Sequence, residues 1–283
     1  MTTVLIFILG SIFGSFLSTV FHRLEIEEPG TKRRRKKASK GKDKGKHEGL
    51  ASGRSRCDHC GTQIPWYHNI PLVSFALLRG KCHHCGKPIS EYHPTLELLS
   101  GLVLVASYLA YGISWQLLVA GFFGLVMVFL LAYDLRHQII PNVVVIPAIA
   151  FALVMVLAQA LLFNQGIPVQ VGLWSADPDT YLLGGGAAGL FFLGLSVLSR
   201  GQWIGGGDVK LGVLIGLVVG WPAVLVALIS AYVLGMLYAI VLLVSREATL
   251  KSSVPFGPML AAGYFIAAFY ADAIIAWYQG LVI

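Results

Sequence analysis

The chain has 283 residues, is 56% hydrophobic and is only 12% charged, about half the charged share of a soluble globular domain. Its net charge is +7, and 16 of the 21 Lys and Arg, but only 7 of the 14 Asp and Glu, fall between His22 and Pro94. The apolar excess excludes a water-soluble core for most of the mass, and a basic block set between long apolar runs is better explained by membrane topology than by nucleic-acid binding.

The first apolar run, Thr3 to Phe21, is long enough to cross the ~30 Å hydrocarbon layer. Basic residues follow it rather than precede it, and no small-residue cleavage site is evident. It therefore reads as a retained helix with its N-terminus outside, not a signal peptide. Residues 22–56 form a basic insertion containing Lys32-Arg-Arg-Arg-Lys-Lys37. It lacks the apolar residues needed to offset the entropy of ordering, so it reads as disordered. Anionic lipid head groups are a candidate partner for Lys32–Lys46; a solvated linker that enforces topology is the plainer account.

Residues 57–94 hold all four cysteines, as Cys57-Asp-His-Cys60 and Cys82-His-His-Cys85 with 21 residues between the pairs. Two knuckles of this kind place four thiolates around one tetrahedral Zn²⁺, with His59, His83 or His84 as alternatives for one thiolate. The expected cytoplasmic side argues against disulfides. Gly61 and Gly86 follow the two pairs, as the tight turn of a knuckle requires. The metal would hold together a module too small to fold on its core alone.

Residues 95–283 form a membrane domain with further apolar runs at Thr95–Tyr111, Trp115–Tyr133, Val143–Phe163, Tyr181–Leu198, Val209–Gly220, Ala223–Val244 and Phe256–Tyr278. The predicted fold is an all-α polytopic membrane protein of about eight transmembrane helices, with a small cytoplasmic zinc-binding domain between the first two. The run at Val209–Gly220 is the weak one, because twelve residues rise only ~18 Å. With the N-terminus outside and eight crossings, every Lys and Arg falls on one side, which the positive-inside rule makes cytoplasmic. Gly10 and Gly14, and the row Gly212, Gly216 and Gly220, have the spacing of close helix packing in lipid.

Three acidic residues lie at inner ends of spans: Glu97, Asp134 in Ala-Tyr-Asp-Leu-Arg, and Asp208 in Gly205-Gly-Gly-Asp. Ionisable groups at membrane depth are costly and by default mark function. Singly, each reads more readily as a boundary residue. As a pair, Asp134 and Asp208 share one side and one depth on different helices. Two adjacent carboxylates share a proton, so one serves as general base on water and the other as general acid. The chain has no GxSxG, HExxH or phosphate loop. A non-enzymatic alternative is a zinc-ribbon scaffold or a transporter whose aspartates carry protons.

The ordered set of motifs resembles the type IV prepilin peptidase family, the bifunctional leader peptidases and N-methyltransferases. Phe13-Gly-Ser-Phe-Leu17, the two CxxC knuckles, Asn69-Ile-Pro-Leu-Val-Ser74, Leu78-Arg-Gly-Lys-Cys82, Glu97-Leu-Leu, Asp134-Leu-Arg-His-Gln-Ile-Ile-Pro141, Gly205-Gly-Gly-Asp208 and Pro255-Phe-Gly-Pro258 occur in family order. Ser18 stands where the family usually has Asn. The resemblance implies a GxGD membrane aspartyl protease of the bacterial inner membrane, active on the cytoplasmic side. Its substrates are prepilins and pseudopilins of type IV pilus and protein secretion systems. The family cuts after a leader Gly and then methylates the new amine with S-adenosylmethionine. It ties Gly80 and Lys81 to methyl transfer. A peptidase with a purely structural zinc module is the alternative within the family.

Overall fold

The computed structural model describes residues 1–27, 57, 59–164, 173, 177–245 and 255–282. Most of the predicted basic insertion, 28–56, therefore lies outside the described residues. The elements in chain order are α1 (Thr2–Glu27), a 3₁₀ turn at Trp66–Asn69, α2 (Val73–Leu77), α3 (Tyr92–Tyr111), α4 (Trp115–His137), α5 (Asn142–Asn164), α6 (Pro178–Leu198), α7 (Gly206–Val219), α8 (Ala223–Val244) and α9 (Gly257–Val282). No strand occurs among the described residues; Lys81 and Pro88 form an isolated bridge. Seven helices, all but α2 and α7, are long and apolar enough to cross a membrane. The chain is a multi-pass membrane protein.

It divides into two compact units, Met1–Val105 and Ala106–Ile283. In the first unit, α1 packs on α3 through glycines. A Cβ on Gly14 would lie 2.7 Å from Glu97 Cα, and one on Gly101 would lie 2.8 Å from Ser11 Oγ. The predicted Gly10–Gly14 row is thus a contact face on which α3 lies backbone to backbone. The polar module follows α1 in sequence and returns into α3.

In the second unit, α7 is the central helix. It packs against α5, α6, α8 and α9, and Leu211, Gly212 and Leu214–Val219 are all buried. Its 14 residues rise only ~21 Å. Enclosure by other helices explains why so short an element is stable: it meets protein where a longer span meets lipid. The glycine row at Gly212, Gly216 and Gly220 packs on a second row, Gly184, Gly185 and Gly189 of α6. A Cβ on Gly184 would lie 2.7 Å from Gly216 O, and one on Gly189 2.7 Å from Val213. The second row was not singled out from sequence.

Helix ends follow local chemistry. Ser114 caps α4 by accepting from Leu117 N–H, and Asp177 caps α6 with Pro178 at its first turn. Helix α4 runs past Asp134 to His137 and stops where Gln138 adopts a left-handed backbone, φ 54°. It is one turn longer than the apolar pattern predicted, because Arg136 and His137 suit a helix C-terminus. Helix α1 likewise continues beyond Phe21 to Glu27.

Candidate active site and cysteine cluster

Asp134 sits in the last turns of α4 and is buried, with 6% of its surface exposed. Its carboxylate accepts a hydrogen bond from the backbone N–H of Gly257, the first residue of α9. A Cβ at Gly257 would collide with Asp134 Oδ2. Only glycine lets the start of α9 come this close, and the unpaired amides of a helix N-terminus favour negative charge there. Pro258 follows at a position where a missing N–H costs nothing. The Pro255-Phe-Gly-Pro258 motif thus has a mechanical reading: it turns the chain into α9 and aims an amide at Asp134.

Asp208 lies in the first turn of α7, half-buried. Its carboxylate accepts from Gly205 N–H at 3.3 Å, closing the N-terminus of its own helix. The charge of Asp134 reaches it, so the two carboxylates share one electrostatic site although their helices are far apart in sequence. The three glycines before Asp208 differ in role. A Cβ on Gly207 would lie 3.2 Å from Ile140 Cβ, so Gly207 admits the α4–α5 connection to the start of α7. Gly206 faces open space, with nothing within 4 Å of where a Cβ would be. Lys210 Nζ donates to Asn142 Oδ1 at 2.7 Å and ties α7 to the first residue of α5. The connection after Asp134 is thereby held at both Ile140 and Asn142.

Sequence reasoning missed two neighbours. Gly257 was noted only as part of a motif. Tyr232 of α8 lies within the field of Asp208, and its ring is 5.0 Å from that of Phe256. Glycine before proline at a helix start was a usable signal for the first; a tyrosine in an apolar run carries none. Glu97, the third acidic candidate, is committed elsewhere. Its buried carboxylate accepts from Leu72 N–H at 2.8 Å and bonds the Ser15 side chain. Ser18 is also buried; its Oγ donates to Ser15 O at 2.8 Å and lies 3.1 Å from His93 Nδ1.

In the first unit, the ligand atoms of Cys57, Cys60, Cys82 and Cys85 all lie within 4.8 Å of one another, and among the described residues no histidine joins the group. Cys57 Sγ and Cys85 Sγ are 3.9 Å apart. Tetrahedral Zn–S bonds of ~2.3 Å imply S···S edges of ~3.8 Å, so the cluster fits a metal ion. The two knuckles repeat one backbone pattern. Gly61 N–H donates to Cys57 O at 2.8 Å, and Gly86 N–H to Cys82 O at 2.9 Å. Cys57 N–H reaches Thr62 O at 2.9 Å, and Cys82 N–H reaches Lys87 O at 2.8 Å. Both glycines are left-handed, at φ 71° and 69°, as the sequence reading required. Hydrogen bonds from Thr62 bring the Cys60 thiol down to about 6, whereas burial pushes Cys57 up to about 11. Backbone amides of Cys85 and His84 lower Cys82.

Gly80 is also left-handed, at φ 69°, and a Cβ there would lie 3.1 Å from the Phe75 ring. Its N–H donates to Phe75 O at 2.9 Å, and its carbonyl accepts from Ile89 N–H at 2.7 Å. It therefore fixes the path from α2 into the second knuckle. Lys81 is exposed between Gly80 and Cys82.

Two family models match the chain: the bacterial peptidase A24 N-terminal domain over residues 8–111, and the type IV leader peptidase family over residues 121–240. Among curated proteins, it is similar to a prepilin leader peptidase/N-methyltransferase of Aeromonas hydrophila, 32% identical over 97% of this chain and 92% of the relative. It is 31% identical to one of Stutzerimonas stutzeri, over 96% and 91%, and 29% identical to one of Bacillus subtilis, over 97% and 96%. No solved structure matches. With this agreement running along nearly its whole length, the chain belongs to the type IV leader peptidase family.

Proposed function

We propose that this protein removes the leader peptide from type IV prepilins and pseudopilins and then methylates the new N-terminal amine. The observation that supports the peptidase reading is the electrostatic coupling of Asp208 to Asp134 from separate helices, with a helix N-terminus aimed at Asp134. The similarity to prepilin leader peptidase/N-methyltransferases across the full chain supports both activities.

In this reading the two carboxylates share one proton. The ionised member takes a proton from water as the water oxygen bonds to the scissile carbonyl carbon. The protonated member gives its proton to the carbonyl oxygen. Collapse of the tetrahedral species breaks the C–N bond, and the leaving amine takes a proton back from the pair. Gly257 N–H holds Asp134 in place through this cycle, and the open side at Gly206 is where an extended substrate strand approaches.

The cleavage site is assigned to the cytoplasmic face of the bacterial inner membrane, which the distribution of Lys and Arg supports. The basic insertion would be a solvated linker that enforces topology, with anionic head groups of that membrane as the candidate partner of Lys32–Lys46. Cys57, Cys60, Cys82 and Cys85 would hold one Zn²⁺, which would supply structure rather than catalysis because four thiolates fill its tetrahedron. Residues 57–94 would form the methyl-transfer domain, with Gly80 and Lys81 serving the methyl donor, S-adenosylmethionine. Transfer needs the new amine as its free base; the N–C bond forms as the C–S bond of the sulfonium breaks.

The test is intact-mass analysis of a prepilin incubated with the purified protein, with and without S-adenosylmethionine. Leader loss plus one methyl group supports the full reading. Leader loss alone restricts it to the peptidase, and an unchanged mass contradicts it.

A further inference from the structure

The segment between the two knuckles carries a large apolar surface that the proposed chemistry leaves unused. Trp66 is 81% exposed and Leu77 is 78% exposed, with Tyr67, Ile70 and Val73 also exposed between them. Val73 and Leu77, four residues apart, share one side of α2, and Ile70 precedes that helix. The opposite side is closed by Ser74, buried, whose Oγ donates to Tyr67 O at 2.9 Å and accepts from Ile70 N–H at 3.1 Å. Exposed cations stand just beyond the patch at Arg79, Lys81 and Lys87. A water-facing module of this size rarely keeps five exposed large apolar side chains within twelve residues uncovered.

One hydrogen bond ties this segment to α3. Leu72, at its centre, donates its N–H to Glu97 Oε2 at 2.8 Å. Glu97 belongs to α3, one of the helices able to span a membrane, and lies five residues in from Tyr92, ~7.5 Å along the axis. At this same level the backbone of α1, another such helix, meets α3 at Gly14. Leu72 adopts φ 59°, a conformation unfavourable for a non-glycine residue, so the tie to Glu97 is made against local preference. The segment is thus held beside two helices able to span a membrane, near the N-terminal end of α3.

We infer that Trp66, Tyr67, Ile70, Val73 and Leu77 insert into the interfacial layer of the bilayer that α1 and α3 cross, so that the cysteine module lies on the membrane rather than above it. The composition fits that occupant: aromatic rings with polar edges and long aliphatic side chains enter the layer, while Arg79, Lys81 and Lys87 reach the head groups. Glu97 is the positioning residue that sets the height. Gly80 and Lys81, three and four positions beyond Leu77, are thereby carried at the membrane surface.

The experiment uses the full-length protein in nanodiscs and the tryptophan emission of the chain minus that of Trp66→Phe, which isolates Trp66 among the six tryptophans. The lipids carry bromine either near the head-group end of the acyl chain or near its tail. The expected difference spectrum is blue-shifted, mostly lost with shallow bromine and little changed with deep bromine. A second variant, Leu77→Trp in the Trp66→Phe background, is expected to behave in the same way. Emission at the wavelength of indole in water, unchanged by either lipid, overturns the inference. Blue-shifted emission unchanged by either lipid also overturns it, because the patch is then covered by protein, either this chain's other unit or a second copy.

Discussion

The cysteine cluster and the aspartate pair are built in opposite ways. The four cysteines come from two short turns of the same design, each closed by its own backbone hydrogen bonds and a left-handed glycine. Almost everything that shapes them lies within six residues of a ligand. The aspartates come from α4 and α7 and depend on a third helix, α9, whose first amide meets Asp134 more than 120 positions away in the chain. One site is a local device whose two halves lie with all four ligand atoms within 4.8 Å of one another. The other exists only when the helices are packed. Changes to the first should therefore be contained within its module, whereas changes to helix contacts should reach the second from a distance.

The largest expected effect breaks the helix-built site at its chemistry. Asp134→Asn and Asp208→Asn should each lower the rate of leader removal by ~10²–10⁴-fold or more, the range for a lost acid–base group, with normal protein level and metal content. Asp→Glu at either position should also fail, because one extra methylene displaces the carboxylate from its partner. Single-turnover cleavage of a prepilin peptide measures this; a partial loss in only one variant would point to another group sharing the work.

Next is the local site. Purified protein should hold about one equivalent of zinc, and Cys82→Ser should lose most of it. Methyl transfer should fall with the metal while leader removal persists. Finding the cysteines oxidised and metal-free would contradict both the cluster and its assigned side of the membrane. Gly80→Leu should abolish methyl transfer, through the strain of φ 69° and the collision with Phe75, and zinc analysis separates a displaced Lys81 from a broken knuckle.

A smaller effect tests the dependence of Asp134 on α9. Gly257→Ala puts a methyl group onto the carboxylate and disturbs a charge-assisted hydrogen bond. Such bonds are worth ~1.5–3 kcal/mol, so cleavage should slow by roughly 10–100-fold without loss of zinc or of methyl transfer to a pre-cut substrate. Wild-type cleavage in this variant would remove Gly257 from the account. The smallest effect is expected from deleting Lys32 through Lys46, which should leave cleavage in detergent within a few-fold of wild type; a loss in a normally inserted protein would give the basic segment a docking role.

The contrast in construction also explains what was legible in the sequence. CxxC spacing and the glycine after each pair are local signals, and they led to both the cluster and its turns. Apolar run lengths led to the seven longer spans and flagged the short segment at Val209–Gly220. Why that segment tolerates its length, through enclosure by α5, α6, α8 and α9, is a tertiary fact with no local signature. The glycine row at Gly212–Gly220 was readable as a packing face, but its partner at Gly184–Gly189 was not. The amide of Gly257 at Asp134, the nearness of Tyr232 to Asp208 and the clamp of Glu97 on Leu72 all join residues far apart in the chain. Each rests on how helices meet rather than on what any one of them contains.

The most direct test of the two-site account gives two variants two substrates. Asp208→Asn and Cys82→Ser are each incubated with S-adenosylmethionine and either an intact prepilin or the same protein already cut at its leader, and the products are weighed by intact-mass spectrometry. The account predicts that Asp208→Asn leaves the intact prepilin unchanged yet adds one methyl group to the pre-cut form, while Cys82→Ser removes the leader and adds nothing. Cleavage by Asp208→Asn at the wild-type rate, or loss of both activities together in each folded variant, would contradict it.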